Sequence, residues 1–230
     1  MKVAVIISAG GKGSRFGGKV TKQFITVEGK PILSHVISRF ETSELVNLIF
    51  VAVPEDSIKL CMNKCIEPFH FQKVIEVIPG GKERSDSVFN CLKQLDGSVD
   101  LVMIHDGVRI FVTHYMIKES VEKAAECGSS VCAIPLSDTI KVITKNRYVK
   151  QTRSREGIYC MQTPQTFKRD IIVDAYEKAG VARSGFTDDS SIVEEYTDCK
   201  TKIIDGHKFN IKITSEEDLE MARIFLRAGY

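Results

Sequence analysis

Five short apolar runs alternate with longer helix-like stretches, and this alternation limits the fold more than any other feature of the chain. The runs are Val3–Ile7, Leu48–Val53, Val74–Ile78, Leu101–Ile104 and Val131–Ile134. Between them lie Pro31–Phe40, Ser57–Ile66, Ser85–Leu95 and Met116–Cys127. Strand-length apolar runs separated by helices call for the α/β class, with a mostly parallel sheet covered by helices on both faces. Sheets of this kind bind ligands beyond the carboxyl ends of their strands. The residues that follow each run are therefore the ones to examine for function.

The first run leads into Ser8-Ala9-Gly10-Gly11-Lys12-Gly13-Ser14-Arg15-Phe16-Gly17-Gly18-Lys19-Val20-Thr21-Lys22-Gln23. A strand, then glycines, then cations is a means of holding phosphate. Glycines let backbone N–H groups approach one anion without a Cβ in the way, and Arg15 with the lysines neutralises the charge so oriented. Neither familiar phosphate motif is complete. Phe16 stands where a dinucleotide fingerprint needs its third glycine, and Val20 where a Walker loop needs a magnesium-binding hydroxyl.

The third run leads into Pro79-Gly80-Gly81-Lys82-Glu83-Arg84-Ser85-Asp86-Ser87, which opens a helix. It reads either as a second polar pocket, suited to a base or a ribose, or as an ordinary capped turn. The fourth leads into His105-Asp106-Gly107-Val108-Arg109. An aspartate closing a buried strand beside a phosphate loop suits Mg²⁺, which takes one or two carboxylates and completes its shell with phosphate oxygens. Arg109 can meet a second anion, and His105 reads as a structural hydrogen-bonding residue.

After Ile134 the alternation breaks. Pro135–Ile143 reads as extended, Lys145-Asn146 as a turn, and Tyr148–Thr152 as a returning strand. A protruding β-arm over residues 137–153 results, too long for a simple connection. Its alternating residues cannot all be buried in one small domain, so a second copy of the chain is the expected cover, giving a homodimer. Further on, a helix is expected over Arg169–Ala179, then a short helix capped by Thr187, a strand at Lys202–Ile204 and another at Phe209–Thr214 placing Lys212 near its end. Ser215-Glu216-Glu217-Asp218 has the capping-box pattern of a final helix, whose apolar stripe of Leu219, Ala222, Phe225 and Leu226 belongs to the core.

Length suits a single domain over residues 1–230. A net charge of +2 gives no broad field for nucleic acid. No apolar run approaches the ~20 residues of a membrane span. Seven cysteines without a CxxC pair read as free thiols, Cys61 and Cys65 included. Reduced thiols and the lack of a secretory signal pattern lead to an expected cytoplasmic location.

Taken together, these pieces resemble the 2-C-methyl-D-erythritol 4-phosphate cytidylyltransferase family. The matching residues are Ala9, Gly10, Gly13 and Arg15 with Lys22-Gln23; Gly80, Gly81 and Arg84; His105-Asp106 and Arg109; Asp138-Thr139-Ile140-Lys141; Thr163-Pro164-Gln165; Thr187-Asp188-Asp189; and Asn210-Ile211-Lys212. They run in family order from residue 3 to about residue 226. Ser8, Thr21 and Ile110 depart from the usual pattern, which affects loop shape and removes no charged group.

The resemblance implies a Rossmann-like nucleotidyltransferase fold, a homodimer joined by the arm, and transfer of CMP from CTP to methylerythritol 4-phosphate with Mg²⁺, releasing pyrophosphate. It implies that Arg15 and Lys22 grip the triphosphate and that Lys22 and Lys212 flank the α-phosphate. Nucleotide contacts fall to Ala9, Gly10, Gly11, Gly13, Gly80, Gly81, Arg84 and Ser87. Asp106 sits beside the metal and the sugar hydroxyls. Arg109, Thr139, Arg155, Thr163 and Thr187 form the acceptor site, with Thr139 and Arg155 arriving from the partner subunit. The substrate phosphate oxygen is already an anion, so the attack needs placement and charge cancellation, not a protein nucleophile. None of the five histidines is expected to be catalytic. The alternatives are a ribitol-5-phosphate cytidylyltransferase, a P-loop kinase or NTPase using Gly13–Lys19, and a non-catalytic nucleotide-binding regulator.

Overall fold

The strand β1 (Val3–Ser8) is buried on both sides because its residues divide between two cores. Val3, Val5 and Ile7 face one of them, and Ala4 and Ile6 the other, as the two-residue period of a strand requires. The computed structural model describes residues 1–11 and 21–230. Along the chain after β1 come a small hairpin β2–β3 (Thr26–Val27, Lys30–Pro31), α1 (Ile32–Glu41), β4 (Leu48–Val53), α2 (Ile58–Cys61), β5 (Val74–Pro79), α3 (Arg84–Leu92), β6 (Leu101–Asp106) and α4 (His114–Cys127). There follow β7 (Ser129–Pro135), β8 (Ile140–Ile143), β9 (Val149–Arg153), β10 (Tyr159–Lys168), α5 (Arg169–Ala179), α6 (Asp189–Tyr196), β11 (Lys202–Asp205) and α7 (Glu216–Arg227).

Among the described residues, seven strands form one sheet in the order β11-β7-β10-β6-β1-β4-β5. All neighbouring pairs are parallel except those made by β10, which runs antiparallel to both β6 and β7. Helices α1, α4 and α7 cover one face through residues such as Val36, Phe40, Met116, Val121 and Ala222. Helices α3, α5 and α6 cover the other through Val88, Ala175, Tyr176 and Ile192. The expected α/β class, with a mostly parallel sheet between two helical layers, is what the chain adopts.

Several local expectations are corrected. Tyr159–Lys168, for which the sequence reading offered no element, is a central strand that contains Pro164. The proline is accommodated where the register against β7 shifts between Met161 and Gln165. Phe209–Thr214 is not a strand. Its backbone groups find partners outside a ladder: the Ile213 N–H donates to the Val108 carbonyl, Arg109 donates to the Asn210 carbonyl, and the Asn210 amide turns inward. Ser57–Ile66 is not one helix but a 3₁₀ turn, the short α2 and a π turn over Met62–Ile66, which leaves Cys61, Cys65 and Ile66 buried. Asp188, not Thr187, caps α6. Its carboxylate accepts from the Ser191 N–H at 3.2 Å, and a carboxylate is the better partner for a helix N-terminus. The capping box expected at Ser215 is present.

The strands β8 and β9 pair antiparallel as a separate two-stranded sheet. Every residue from Lys141 to Cys160 is exposed, Tyr148 and Val149 among the most open.

Candidate active site

Three loops meet where β1, β4 and β6 end. The register sets Ser8 beside Ala52 on one side and beside Asp106 on the other. Past the last ladder bond the Ala9 N–H donates to the Ala52 carbonyl at 2.8 Å, Gly107 N–H to the Ser8 carbonyl at 2.9 Å, and Gly80 N–H to the Val53 carbonyl at 2.7 Å. The loops are thus stitched by backbone bonds, and little room is left between them. A Cβ on Gly10 would lie 2.9 Å from the Ser87 hydroxyl, and one on Gly107 only 2.7 Å from the Ala9 Cβ. These glycines are required by close approach; neither has a left-handed φ.

Gln23 is buried and donates from its amide to the Ala9 carbonyl at 2.6 Å, which brings Lys22 back to the start of the first loop. Ser87 donates to the Glu83 carbonyl and accepts from the Gly81 N–H at 3.0 Å, fixing the turn into α3. The capped-turn reading of this stretch is observed. It is a capped helix start, with Asp86 accepting from the Glu83 N–H, and it lines a pocket.

That pocket is a cleft of about 1120 Å³. Ala9, Gly10, Gly11, Lys22, Gly80, Gly81, Arg84, Ser87, Asp106 and Lys212 all line it. Lys22 and Lys212, almost two hundred residues apart in the chain, therefore face a common space. A second pocket of about 320 Å³ adjoins it, lined by Arg109, Thr163, Thr187 and Asp188 and sharing Arg84, Asp106 and Lys212 with the first. Arg15 and Gly13, assigned to the triphosphate, lie outside the described residues.

Asp106 is the junction. Its Oδ1 lies 3.4 Å from Arg84 Nε, and its Oδ2 lies 3.0 Å from Arg109 Nε and 3.1 Å from Lys212 Nζ. Burial alone would raise its pKa, but Arg84, Lys212 and Arg109 outweigh it and hold the carboxyl well below the usual range. Arg84 continues to Asp189 at 2.7 Å, and Asp189 in turn accepts from the Tyr176 hydroxyl at 2.6 Å. Burial works against the Arg84 charge, yet Asp189 and Asp106 outweigh that and keep it firmly protonated. Three cations, Arg84, Arg109 and Lys212, are thus held around Asp106 and Asp189 where the two pockets join.

His105 is fully buried and structural, as expected. Its Nε2 donates to the Arg109 carbonyl at 3.0 Å, so its Nδ1 is the acceptor, and the Thr163 hydroxyl donates to it at 2.9 Å. Burial pushes its pKa down to about 4, which keeps the ring neutral. Thr163 also accepts from the Asp106 N–H at 3.1 Å, so its hydroxyl positions the β6 end, and the residue lines the smaller pocket. Thr139 and Arg155 line neither pocket: both are exposed at the base of the arm, where Arg155 donates to the Ser137 carbonyl.

Residues that sequence reasoning missed are mainly those that hold others. Gln165 accepts from the Asp189 and Ser190 N–H groups, each at 3.0 Å, tying β10 to the start of α6. Gln162 and Asn210 bond to each other and fix the segment that carries Lys212. Asp189 and Gln165 sat inside matching motifs. Tyr176 gave no signal, since it lies on the apolar stripe of a helix.

The sequence pattern of the family described as 2-C-methyl-D-erythritol 4-phosphate cytidylyltransferase matches residues 3–228. A protein of that name from Alkaliphilus oremlandii is 41% identical over 98% of this chain and 95% of its own. One from Geotalea uraniireducens is 42% identical over 99% and 98%. Among solved structures, the 4-diphosphocytidyl-2C-methyl-D-erythritol synthase of Anaerococcus prevotii superposes with a TM-score of 0.84 at 29% identity, covering 98% of this chain and 96% of that one. The Thermus thermophilus cytidylyltransferase gives 0.79 at 27% identity, covering 99% and 100%. With the glycine loops, the two lysines and the Asp106 junction in place, the chain belongs to the 2-C-methyl-D-erythritol 4-phosphate cytidylyltransferase family.

Proposed function

We propose that this cytidylyltransferase moves CMP from CTP to 2-C-methyl-D-erythritol 4-phosphate by cancelling the charge of two anions at one junction. The acceptor phosphate oxygen attacks the α-phosphorus; that P–O bond forms, the bond to the bridging β-phosphate oxygen breaks, and pyrophosphate leaves. The larger cleft takes CTP, with base and ribose on the Gly80–Ser87 loop and the triphosphate toward Ala9–Gly11, Arg15 and Lys22. The smaller pocket takes the polyol phosphate against Arg109, Thr163 and Thr187. Lys212 and Lys22 flank the reacting phosphate. The observation that carries this reading is that both pockets share Asp106, Arg84 and Lys212. Positioning and electrostatics supply the rate, as phosphoryl-type chemistry requires.

The donor set fits Mg²⁺ in one way. Among the described residues no group of three His, Cys, Asp or Glu side chains is arranged to hold a metal. Asp106 is a single hard carboxylate whose Oδ1 meets Arg84 at 3.4 Å, and Mg²⁺ accepts such a ligand when the nucleotide phosphates supply the others. Asp106 would hold it, and the ion would add positive charge at the phosphates. The arm over 137–153 pairs two copies and delivers Thr139 and Arg155 to the partner's acceptor pocket, and the enzyme works in the cytoplasm. No helix among the described residues is long and apolar enough to cross a membrane.

The test offers the purified protein CTP with each polyol phosphate and measures pyrophosphate. Strong preference for methylerythritol 4-phosphate is expected. Equal or better turnover of ribitol 5-phosphate overturns the acceptor assignment, and release of inorganic phosphate without pyrophosphate overturns the reaction type.

A further inference from the structure

Two ion pairs of opposite sense join the nucleotide loop to the acceptor side. Arg84 of α3 reaches Asp189 of α6. Arg183, in the 3₁₀ turn Gly180–Gly185 ahead of α6, reaches back to Asp86 of α3 with Nη2 at 2.8 Å and Nε at 3.1 Å from the same oxygen. The first pair belongs to the site. The second lines neither pocket, and the reaction outlined above makes no use of it. Yet it is well built. The Arg183 guanidinium lies over the Phe89 ring at 4.6 Å, donates also to the Gly180 carbonyl, and is only 18% exposed.

Each end of this pair touches a pocket wall. On the nucleotide side, a Cβ on Gly81 would lie 2.2 Å from the Asp86 Cβ, so the loop backbone rests against Asp86. On the acceptor side, the Arg183 carbonyl accepts from the Phe186 N–H at 3.2 Å, closing the turn that delivers Thr187 and Asp188 to the smaller pocket. The contacts run without a gap from Gly81 through Asp86, Arg183 and Phe186 to Thr187. With Arg84–Asp189 as a second strut, the two segments are fixed in rotation as well as in distance.

We infer that Arg183 is a positioning residue that couples the two substrates. A nucleotide seated on the Gly80–Ser87 loop fixes Asp86, and through Arg183 it holds Thr187 and Asp188 where the polyol phosphate binds. This rests on the assignment of nucleotide and acceptor to the two pockets proposed above. The coupling is reciprocal, so the acceptor tightens nucleotide binding by the same factor.

Calorimetry tests it with methylerythritol 4-phosphate as the titrant, with and without a CTP analogue whose α–β bridge resists cleavage. In the unaltered protein the analogue is expected to tighten acceptor binding about tenfold. Arg183→Gln brings that ratio close to one. Asp86→Asn does the same while keeping an amide oxygen for the Glu83 N–H, so a folding defect in one variant leaves the other to decide. If the two side chains act as one unit, the double variant loses no more coupling than either single variant. An unaltered ratio in Arg183→Gln or Asp86→Asn, or independent binding of the two ligands to the unaltered protein, overturns the coupling. Failure of the unaltered protein to bind either ligand overturns instead the pocket assignment, and the coupling with it.

Discussion

The Asp106 junction and the β8–β9 arm are both rich in cations, and they treat them in opposite ways. At the junction, Arg84, Arg109 and Lys212 converge on one buried carboxylate, and Asp189 holds Arg84 from behind. On the arm, Lys145, Arg147, Lys150 and Arg153 stand exposed among Val142, Ile143, Tyr148 and Val149. A charge taken out of water must find a partner with good geometry, so burial at the junction fixes Asp106, Arg84 and Arg109. The arm has no such constraint. A two-stranded hairpin alone is marginal in water, and a run of exposed apolar side chains marks a surface that another molecule covers. One region is finished within the chain; the other is left open to solvent.

The contrast can be broken at its strongest point first. Asp106→Asn leaves the Arg84 and Arg109 guanidinium groups facing a neutral amide, and about 3 kcal/mol of stability should be lost along with activity, read from urea unfolding and pyrophosphate release. A loss below about 1 kcal/mol would mean that the junction cations are solvated well enough to do without it. Lys212→Ala and Lys22→Ala separate chemistry from stability, because Lys212 is half exposed. Each should lower turnover by about 10²-fold or more, as loss of a charge contact to the reacting phosphate does, with the unfolding midpoint nearly unchanged. Full activity in either variant would remove that lysine from the reaction.

Acid sharpens the same contrast. His105 has a folded pKa of about 4 against an ordinary value of 6.5. Below about pH 6.5 the unfolded chain takes up a proton that the folded chain refuses, so stability falls as pH drops and the loss is complete near pH 4. It amounts to about 3 kcal/mol. Urea midpoints across this window should fall steeply in the natural protein and less steeply in His105→Gln; parallel slopes would mean that His105 is not the group responsible. The smallest effect on the fold should come from deleting residues 141–150. Studied at concentrations low enough to separate any dimer, the shortened chain should differ in stability by about 1 kcal/mol or less. At higher concentration its sedimenting mass should halve, and an unchanged mass would rule out pairing through the arm.

What was legible in the sequence follows a clear line. Val3–Ile7 and Leu101–Ile104 announced themselves as buried strands, and the loops after them as the site, because apolar runs and glycines act over a few neighbouring residues. The strand at Tyr159–Lys168 was not read from the sequence; the register shift that accommodates Pro164 is made by two neighbouring strands and not by the strand itself. Phe209–Thr214 alternated like a strand and was not one: its Ile211 N–H turns back to the Phe209 carbonyl, and Arg109 takes the Asn210 carbonyl.

By itself the sequence determined the α/β class and the family. Only the tertiary structure decided that Lys22 and Lys212 share a cleft, that Arg84 is shared between Asp106 and Asp189, and that His105 is a neutral brace. Periodicity and turn chemistry are local and can be read along the chain. Which buried charge answers which is set by the removal of water from all of them at once, and no single stretch of sequence contains that information.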